Sequence, residues 1–299
     1  MRAKASTVHR AAFVPGMAVA LLMWLAAPAN AAAPAFSLDR TVRTSPFVGS
    51  SISMKDAEGS AYVPKDNSIW LADDNGRAIY EVDPVTGDLK RMIGSAAFEA
   101  TPRFGGGQAA GTSRDRDIES MAYDAAHDTL YVFSGVCCNG GAQPTAFRMQ
   151  RDGSGEFQLE SYQPLSSGSD YTATGWNPAD QQLYVGVKRD IRSYDYASNA
   201  AGPTFQVPNV RGILGMSFST DGQDMYVAHH NSSTQLLTVV DFATRTIVPG
   251  WSFVLNPFGI RDARAVEKIG DQFFVLDGYD GRSKGDPLRH ALYVFDVVG

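Results

Sequence analysis

Cysteine is nearly absent: the 299 residues hold two, Cys137 and Cys138, and they are neighbours. Consecutive Cα atoms sit about 3.8 Å apart, below the usual disulfide range, so no staple between two separate elements can be drawn. A strained vicinal ring, an intermolecular bridge or two free thiols remain. No His-Glu-x-x-His helix, phosphate-cradling glycine loop or Cys/His zinc spacing occurs, and the one Gly-x-Ser-x-Gly spacing, Gly281 to Gly285, lies in a polar loop and not at a strand-to-helix elbow. Those absences exclude the commonest serine-hydrolase, metalloprotease, nucleotide-binding and zinc-module readings. Long apolar runs are missing as well. The single candidate, Met17 to Ala27, is too short to span a bilayer as a helix. Basic residues are outnumbered, 26 against 32 acidic, and the formal charge is −6. That balance argues against nucleic acid or an anionic membrane surface as the main partner.

The short apolar run has its own meaning. Arg2, Lys4 and Arg10 precede it and Pro28-Ala29-Asn30-Ala31 follows it, the pattern of a secretory signal peptide over residues 1–31. Cleavage after Ala31 or Ala33 fits equally. Losing the three basic residues and no acidic one takes the formal charge from −6 to −9. The expected location is secreted or periplasmic, where an oxidising environment favours a disulfide between Cys137 and Cys138. What remains is enough chain for one large domain, placed at residues 38–299, and a monomer is expected.

Internal repetition identifies that domain. Glu58-Gly-Ser-Ala-Tyr62 is followed by a polar turn and Ile69-Trp70-Leu71; Glu119-Ser-Met-Ala-Tyr123 is followed by Leu130-Tyr131-Val132. Thr172 to Trp176 with Leu183-Tyr184-Val185, and Leu214 to Phe218 with Met225-Tyr226-Val227, repeat the pattern. In all four, twelve residues separate the leading position from the second-strand aromatic; Arg264 to Phe274 is a fifth copy, two residues shorter. Each copy reads as two short strands around a turn of Asp, Asn, Gly and Pro. Small residues at Ala61, Ala122, Gly175 and Ser217 would let inner strands crowd an axis. A third strand ending in aspartate follows at Asp83, Asp195, Asp241 and Asp296, with a weaker one at Thr145 to Met149. The spacing of the copies approaches the roughly 40–50 residues of known propeller repeats. An all-β propeller of five four-stranded blades is expected, with a degenerate sixth within 96–116 as the alternative. The last copy stops after its third strand, so an N-terminal segment, Thr41 to Val48, is expected to complete it and close the ring.

Inner strands line a propeller's channel, so their equivalent positions converge. Two residues before the leading positions lie Asp56, Asp117, Asp170, Gly212 and Asp262, which strand alternation would place on the face of Glu58, Glu119, Thr172, Leu214 and Arg264. Just before them stand Lys55, Arg116, Ser169, Arg211 and Arg261. Such a mouth has three readings: aspartates and basic residues pairing as structural staples, a hard cation such as calcium held by Asp56, Glu58, Asp117, Glu119, Asp170 and Asp262, or an anion held by Arg116, Arg211, Arg261 and Arg264. At the second-strand ends, His229 and His230 should point to opposite faces. The acidic, glycine-rich loop 278–286 lacks the spacing of the twelve-residue helix–loop–helix calcium site.

The segments AEGSAYVPKDNSIWLADDNGRAIYEVDPVTGDL and DIESMAYDAAHDTLYVFSG resemble the clan of exported propellers that includes phytase-like (esterase-like) proteins and gluconolactonase-type hydrolases. The resemblance implies calcium at the channel and hydrolysis of phosphate esters or lactones there, with Glu58 and Glu119 as acidic channel residues. The chain lacks the several acidic metal motifs and the lysine-rich substrate set of a full phytase. Its adjacent cysteines are similar to the vicinal disulfide of quinone-dependent alcohol dehydrogenase propellers, but the tryptophan-docking repeats of that family are missing. Two functions are therefore expected: a calcium-assisted hydrolase of a small ester, lactone or phosphate ester, with Glu58, Glu119 and Arg264 as catalytic groups, or a non-catalytic propeller recognising a protein or glycan.

Overall fold

The computed structural model describes residues 34–99, 118–135, 144–166 and 170–298. The leader, Arg116, Asp117, Cys137 and Cys138 lie outside them. The first blade holds β2 (Ala57–Val63), β3 (Ser68–Asp73), β4 (Ala78–Val82) and β5 (Leu89–Ile93). The second holds β6 (Ile118–Asp124), β7 (Thr129–Ser134), β8 (Thr145–Arg151) and β9 (Phe157–Pro164). The third is β10 (Ala173–Asn177), β11 (Gln182–Val187), β12 (Asp190–Asp195) and β13 (Ala200–Phe205). The fourth is β14 (Ile213–Phe218), β15 (Asp224–Asn231), β16 (Thr234–Asp241) and β17 (Thr246–Val254). The fifth is β18 (Ala263–Ile269), β19 (Gln272–Asp277) and β20 (Leu292–Val298), completed by β1 (Ala35–Val42). Five antiparallel blades make a β-propeller. No sixth occurs among the described residues, and α1 (Ser95–Glu99) opens the segment where it was sought.

The repeat fixes the register because the small inner-strand residue faces the large second-strand ring. Ala61 pairs Trp70, Ala122 pairs Tyr131, Gly175 pairs Tyr184 and Ser217 pairs Tyr226. In the shorter fifth copy Glu267 pairs Phe274, so removing two turn residues preserves the pleat. Third-strand aspartates cap their turns: Asp83 Oδ1 accepts from the amides of Val85 (2.8 Å) and Thr86 (3.0 Å), and Asp241 Oδ1 from Thr244 (2.8 Å). The core is five wedges between neighbouring blades. One packs Phe47, Leu71 and Tyr80 of the first blade region against Phe274 and Leu276 of the fifth.

Ring closure uses a different part of the N-terminal segment from the one expected. β1 runs Ala35–Val42 and pairs β20 from Ala35↔Val298 to Val42↔Leu292. Only Thr41 and Val42 of the expected 41–48 strand take part. Pro46 has no amide proton to offer a ladder, and beyond Val42 the chain turns, with Thr44 bridging Phe47 and Phe47 fully buried. The strand is locked by Phe36, whose ring lies between Phe253 (4.2 Å, stacked) and Phe295 (4.4 Å, stacked). Phe36→Ala is expected to cost about 2–4 kcal/mol, read from urea unfolding. A change below about 0.5 kcal/mol would show that closure does not depend on this clasp.

Candidate functional site

In four blades the ladder between first and second strands shifts at the leading position, leaving Glu58, Glu119, Leu214 and Arg264 as bulge residues. An extra residue bends the strand and re-aims its side chain. Plain alternation therefore does not carry from Asp56 to Glu58, or from Asp262 to Arg264. These residues still meet at one end of the channel, because the whole entry loop is braced from the second strand. Asp73, fully buried at the end of β3, accepts the amides of Lys55 (3.0 Å), Asp56 (2.9 Å) and Gly76 (2.8 Å) and the Tyr80 hydroxyl (3.1 Å). Asp277 does the same in the fifth blade, accepting the amides of Arg261 (3.2 Å) and Asp262 (3.0 Å) and a hydrogen bond from Arg282 Nη2 (3.3 Å).

Arg264 joins the last blade to the first. Its Nη1 donates to Glu58 Oε2 and its Nε donates to Asp262 Oδ2 at 2.8 Å. Burial drives the Glu58 carboxyl well above the usual range, with Arg264 opposing and Asp56, Asp262 and Asp74 adding to the rise. Asp56 is only half-buried, and its Oδ2 accepts from Asn75 Nδ2 at 2.6 Å. Burial first, then the charges of Asp280 and Asp74, push its carboxyl up to about 7, against the pull of Arg264 and Asn75. The mouth thus offers one carboxyl that changes charge near neutrality beside a guanidinium that does not.

Glu119 and Asp170 share a second part of the mouth. Both reach over Gly135: a Cβ there would lie 2.4 Å from Asp170 Oδ1 and 2.7 Å from Glu119 Oε1. The fourth blade fills its gap in the aspartate series with histidine. His230 lies on Gly212, where a Cβ would come within 2.3 Å of Nε2, and Gly212 has φ +53°. Glycine suits both the left-handed backbone and the ring laid on it. His229 points the other way, is buried, and places Nε2 2.9 Å from Thr238 Oγ1; desolvation lowers its pKa to about 4. The opposite orientations follow from strand alternation, whereas the seating of His230 on Gly212 had no sequence signal beyond the glycine.

The arginines do not gather as an anion pocket among the described residues. Arg211 and Arg261 are exposed, and the Arg261 guanidinium lies over the Tyr279 ring at 5.1 Å. The 278–286 loop is tied by ion pairs, Asp280 to Arg289 (2.8 Å) and Arg282 to Asp277 (3.3 Å). A calcium shell needs several converging oxygens. Among the described residues, no three His, Cys, Asp or Glu side chains are arranged to hold a metal ion. Arg264 stands where Glu58 and Asp262 would otherwise face a cation, and Glu119 with Asp170 supplies two carboxylates. The described residues do not complete the shell, so no chemical step is routed through a metal. The aligned second-strand ends, Asp73-Asp74 and Asp277, and the 278–286 loop with Asp280 are candidates in the sequence; what sequence reasoning missed is that Asp73 and Asp277 brace the entry loops from behind.

The fold and mouth define a five-bladed β-propeller with an acidic channel entrance. Among solved structures it is similar to a glutaminyl cyclase from Myxococcus xanthus (15% identity, TM-score 0.55, covering 89% of this chain and 98% of that one). It is also similar to a luciferin-regenerating enzyme (10% identity, TM-score 0.50, 89% and 95%). A gluconolactonase from Xanthomonas campestris matches at 13% identity and TM-score 0.49, covering 88% and 99%. No family model and no curated protein matches the chain. The likenesses to the glutaminyl cyclase and the luciferin-regenerating enzyme support the propeller fold and nothing finer. Among the described residues no helix is long and apolar enough to cross a membrane.

Proposed function

We propose that this propeller is exported and hydrolyses a small ester or lactone at the acidic mouth. One arrangement carries the reading: the half-buried Asp56 carboxyl, held by Asn75 at 2.6 Å and pushed up to about 7 by burial, sits within the electrostatic reach of Arg264. As carboxylate, Asp56 would take a proton from water while the water oxygen attacks the carbonyl carbon. The carbonyl π electrons move to oxygen, where Arg264 Nη2, which makes neither of the carboxylate bonds above, would stabilise the oxyanion. Collapse breaks the C–O bond, and the leaving alkoxide takes the proton back from Asp56. Glutaminyl cyclase and luciferin-regenerating enzyme are enzyme names on comparable propellers; this supports catalysis on such a fold and supplies no residue.

A second reading, a non-catalytic propeller binding a protein or glycan, is favoured by the engagement of Arg264 with two carboxylates. Hydrolysis of p-nitrophenyl acetate and of glucono-δ-lactone separates the two. Asp56→Asn and Arg264→Gln are each expected to lower kcat/KM at least a hundredfold, with Asp56→Asn also removing the rise in rate through pH 7. Calcium at the acidic mouth is retained as a proposal, with Glu119 and Asp170 the described carboxylates of the expected set that lie apart from Arg264. Turnover that survives chelation rests on Asp56 and Arg264 alone, and turnover restored only by calcium assigns the metal a part. Absence of turnover on both substrate classes would leave the binding reading.

A further inference from the structure

The opposite end of the channel is chemically unlike the mouth. A cavity of about 360 Å³ opens there, separated from the mouth by a waist with only about 10 Å³ of free space. The waist is closed by backbone: a Cβ on Gly59 would approach Ser120 Cα to 2.7 Å, and one on Gly215 would approach Ala265 Cα to 2.5 Å. The cavity exists because the inner strands carry Ala61, Ala122, Gly175 and Ser217 at one level, and the fifth strand places Glu267 at that same level. Four small residues leave room for one long one. Glu267 is buried, and its Oε1 accepts from Ser60 Oγ at 2.9 Å.

Two features mark this space as a binding site. Around the opening stand the half-buried rings of Tyr62, Tyr123, Trp176 and Phe218. Two are fixed from behind, Tyr62 by Asn67 (3.1 Å) and Tyr123 by Asp128 (2.8 Å). Deeper in, Thr174 Oγ1 and Ser217 Oγ line the cavity, are 2% and 8% exposed as residues, and have no hydrogen-bond partner among the described residues. Buried hydroxyls are nearly always satisfied, so each such vacancy in bonding calls for a partner. Lys268 lines the cavity too, but its Nζ turns over the rings of Tyr226 (5.8 Å) and Phe273 (5.9 Å), and burial pushes the Glu267 carboxyl up to about 8, which favours its protonated form.

We propose that this end of the channel binds an uncharged, ring-bearing small molecule whose hydroxyl or carbonyl group meets Thr174 and Ser217 while its ring lies among the four aromatic side chains. The volume is at the lower end of ordinary ligand pockets. An anionic ligand would have only Lys268, already held over two rings, to offset its desolvation.

The test is isothermal titration of the purified protein at pH 6.5 with 2-naphthol and with 2-naphthoate, alongside Trp176 fluorescence. Saturable one-to-one binding of 2-naphthol, at least tenfold tighter than 2-naphthoate, is expected. The Thr174→Val/Ser217→Ala double variant should weaken it at least fivefold, and Ala122→Leu, which fills the cavity, at least tenfold. Trp176→Ala, at the rim, serves if Ala122→Leu does not fold. Asp56→Asn should bind 2-naphthol as the parent does. No saturable binding, equal binding of the two probes, indifference to the hydroxyl deletions, or loss in Asp56→Asn would each overturn the proposal.

Discussion

Removal of the Asp73 carboxylate by Asp73→Ala should cost about 3–5 kcal/mol in urea unfolding. The side chain is fully buried and accepts four hydrogen bonds, three from amides and one from the Tyr80 hydroxyl. Alanine leaves those donors facing a void, and each unsatisfied buried polar group costs about 1–3 kcal/mol, lessened where water enters. The same loop carries Asp56, so the substitution should also blunt any activity of the mouth beyond its effect on stability. Asp277→Ala is the counterpart in the fifth blade and should behave alike, since it releases Arg261, Asp262 and Arg282 together. A loss under about 1 kcal/mol in both would mean that the entry loops hold their shape without these braces.

Stability should fall as pH rises from about 4.5 to 8, and Glu267 should be a main cause. Its carboxyl goes from 4.5 to about 8 on folding, chiefly through burial, with the Ser60 hydroxyl and the Tyr62 amide opposing. The folded state therefore holds its proton more tightly than the unfolded chain. That contribution is fully present below about pH 4.5 and is lost as pH climbs through 8, a difference on the order of 5 kcal/mol. Asp56, raised to about 7, acts in the same direction over a narrower window. Glu267→Gln, neutral at every pH, should flatten the curve: little change in Tm at pH 4.5 and a clear rise at pH 8.5. A parent curve that is level from pH 5 to 8, or a variant that tracks it, would contradict a proton held at Glu267.

Much of the architecture could be read from spacing alone. Twelve residues from Glu58 to Trp70, repeated to Tyr131, Tyr184 and Tyr226, specify a hairpin whose small residue opposes a large ring, and the pairings show that arrangement. The strand that closes the ring was less legible. Ala35–Val42 is an outer strand with mostly exposed side chains and little alternation, and Phe36 reveals its part only when stacked between Phe253 and Phe295. At the mouth, repetition aligned Asp56, Asp170 and Asp262, but it could not show that the leading residues bulge. A bulge is a property of two paired strands, and neither strand's sequence contains it.

Local chemistry, then, settled the blade but left five or six copies open until the sheets were seen: alternating apolar residues, turn formers and a recurring interval suffice for a blade because a hairpin is a short-range object. Charge partnership was decided only when blades first and last in the chain met. Arg264 lies 206 positions from Glu58, and their ion pair depends on ring closure. The same closure made Glu267, which no sequence pattern singled out, a buried acid on the lining of an aromatic cavity. Burial and field at a point on the axis are sums over all five blades, so no single stretch of chain carries them.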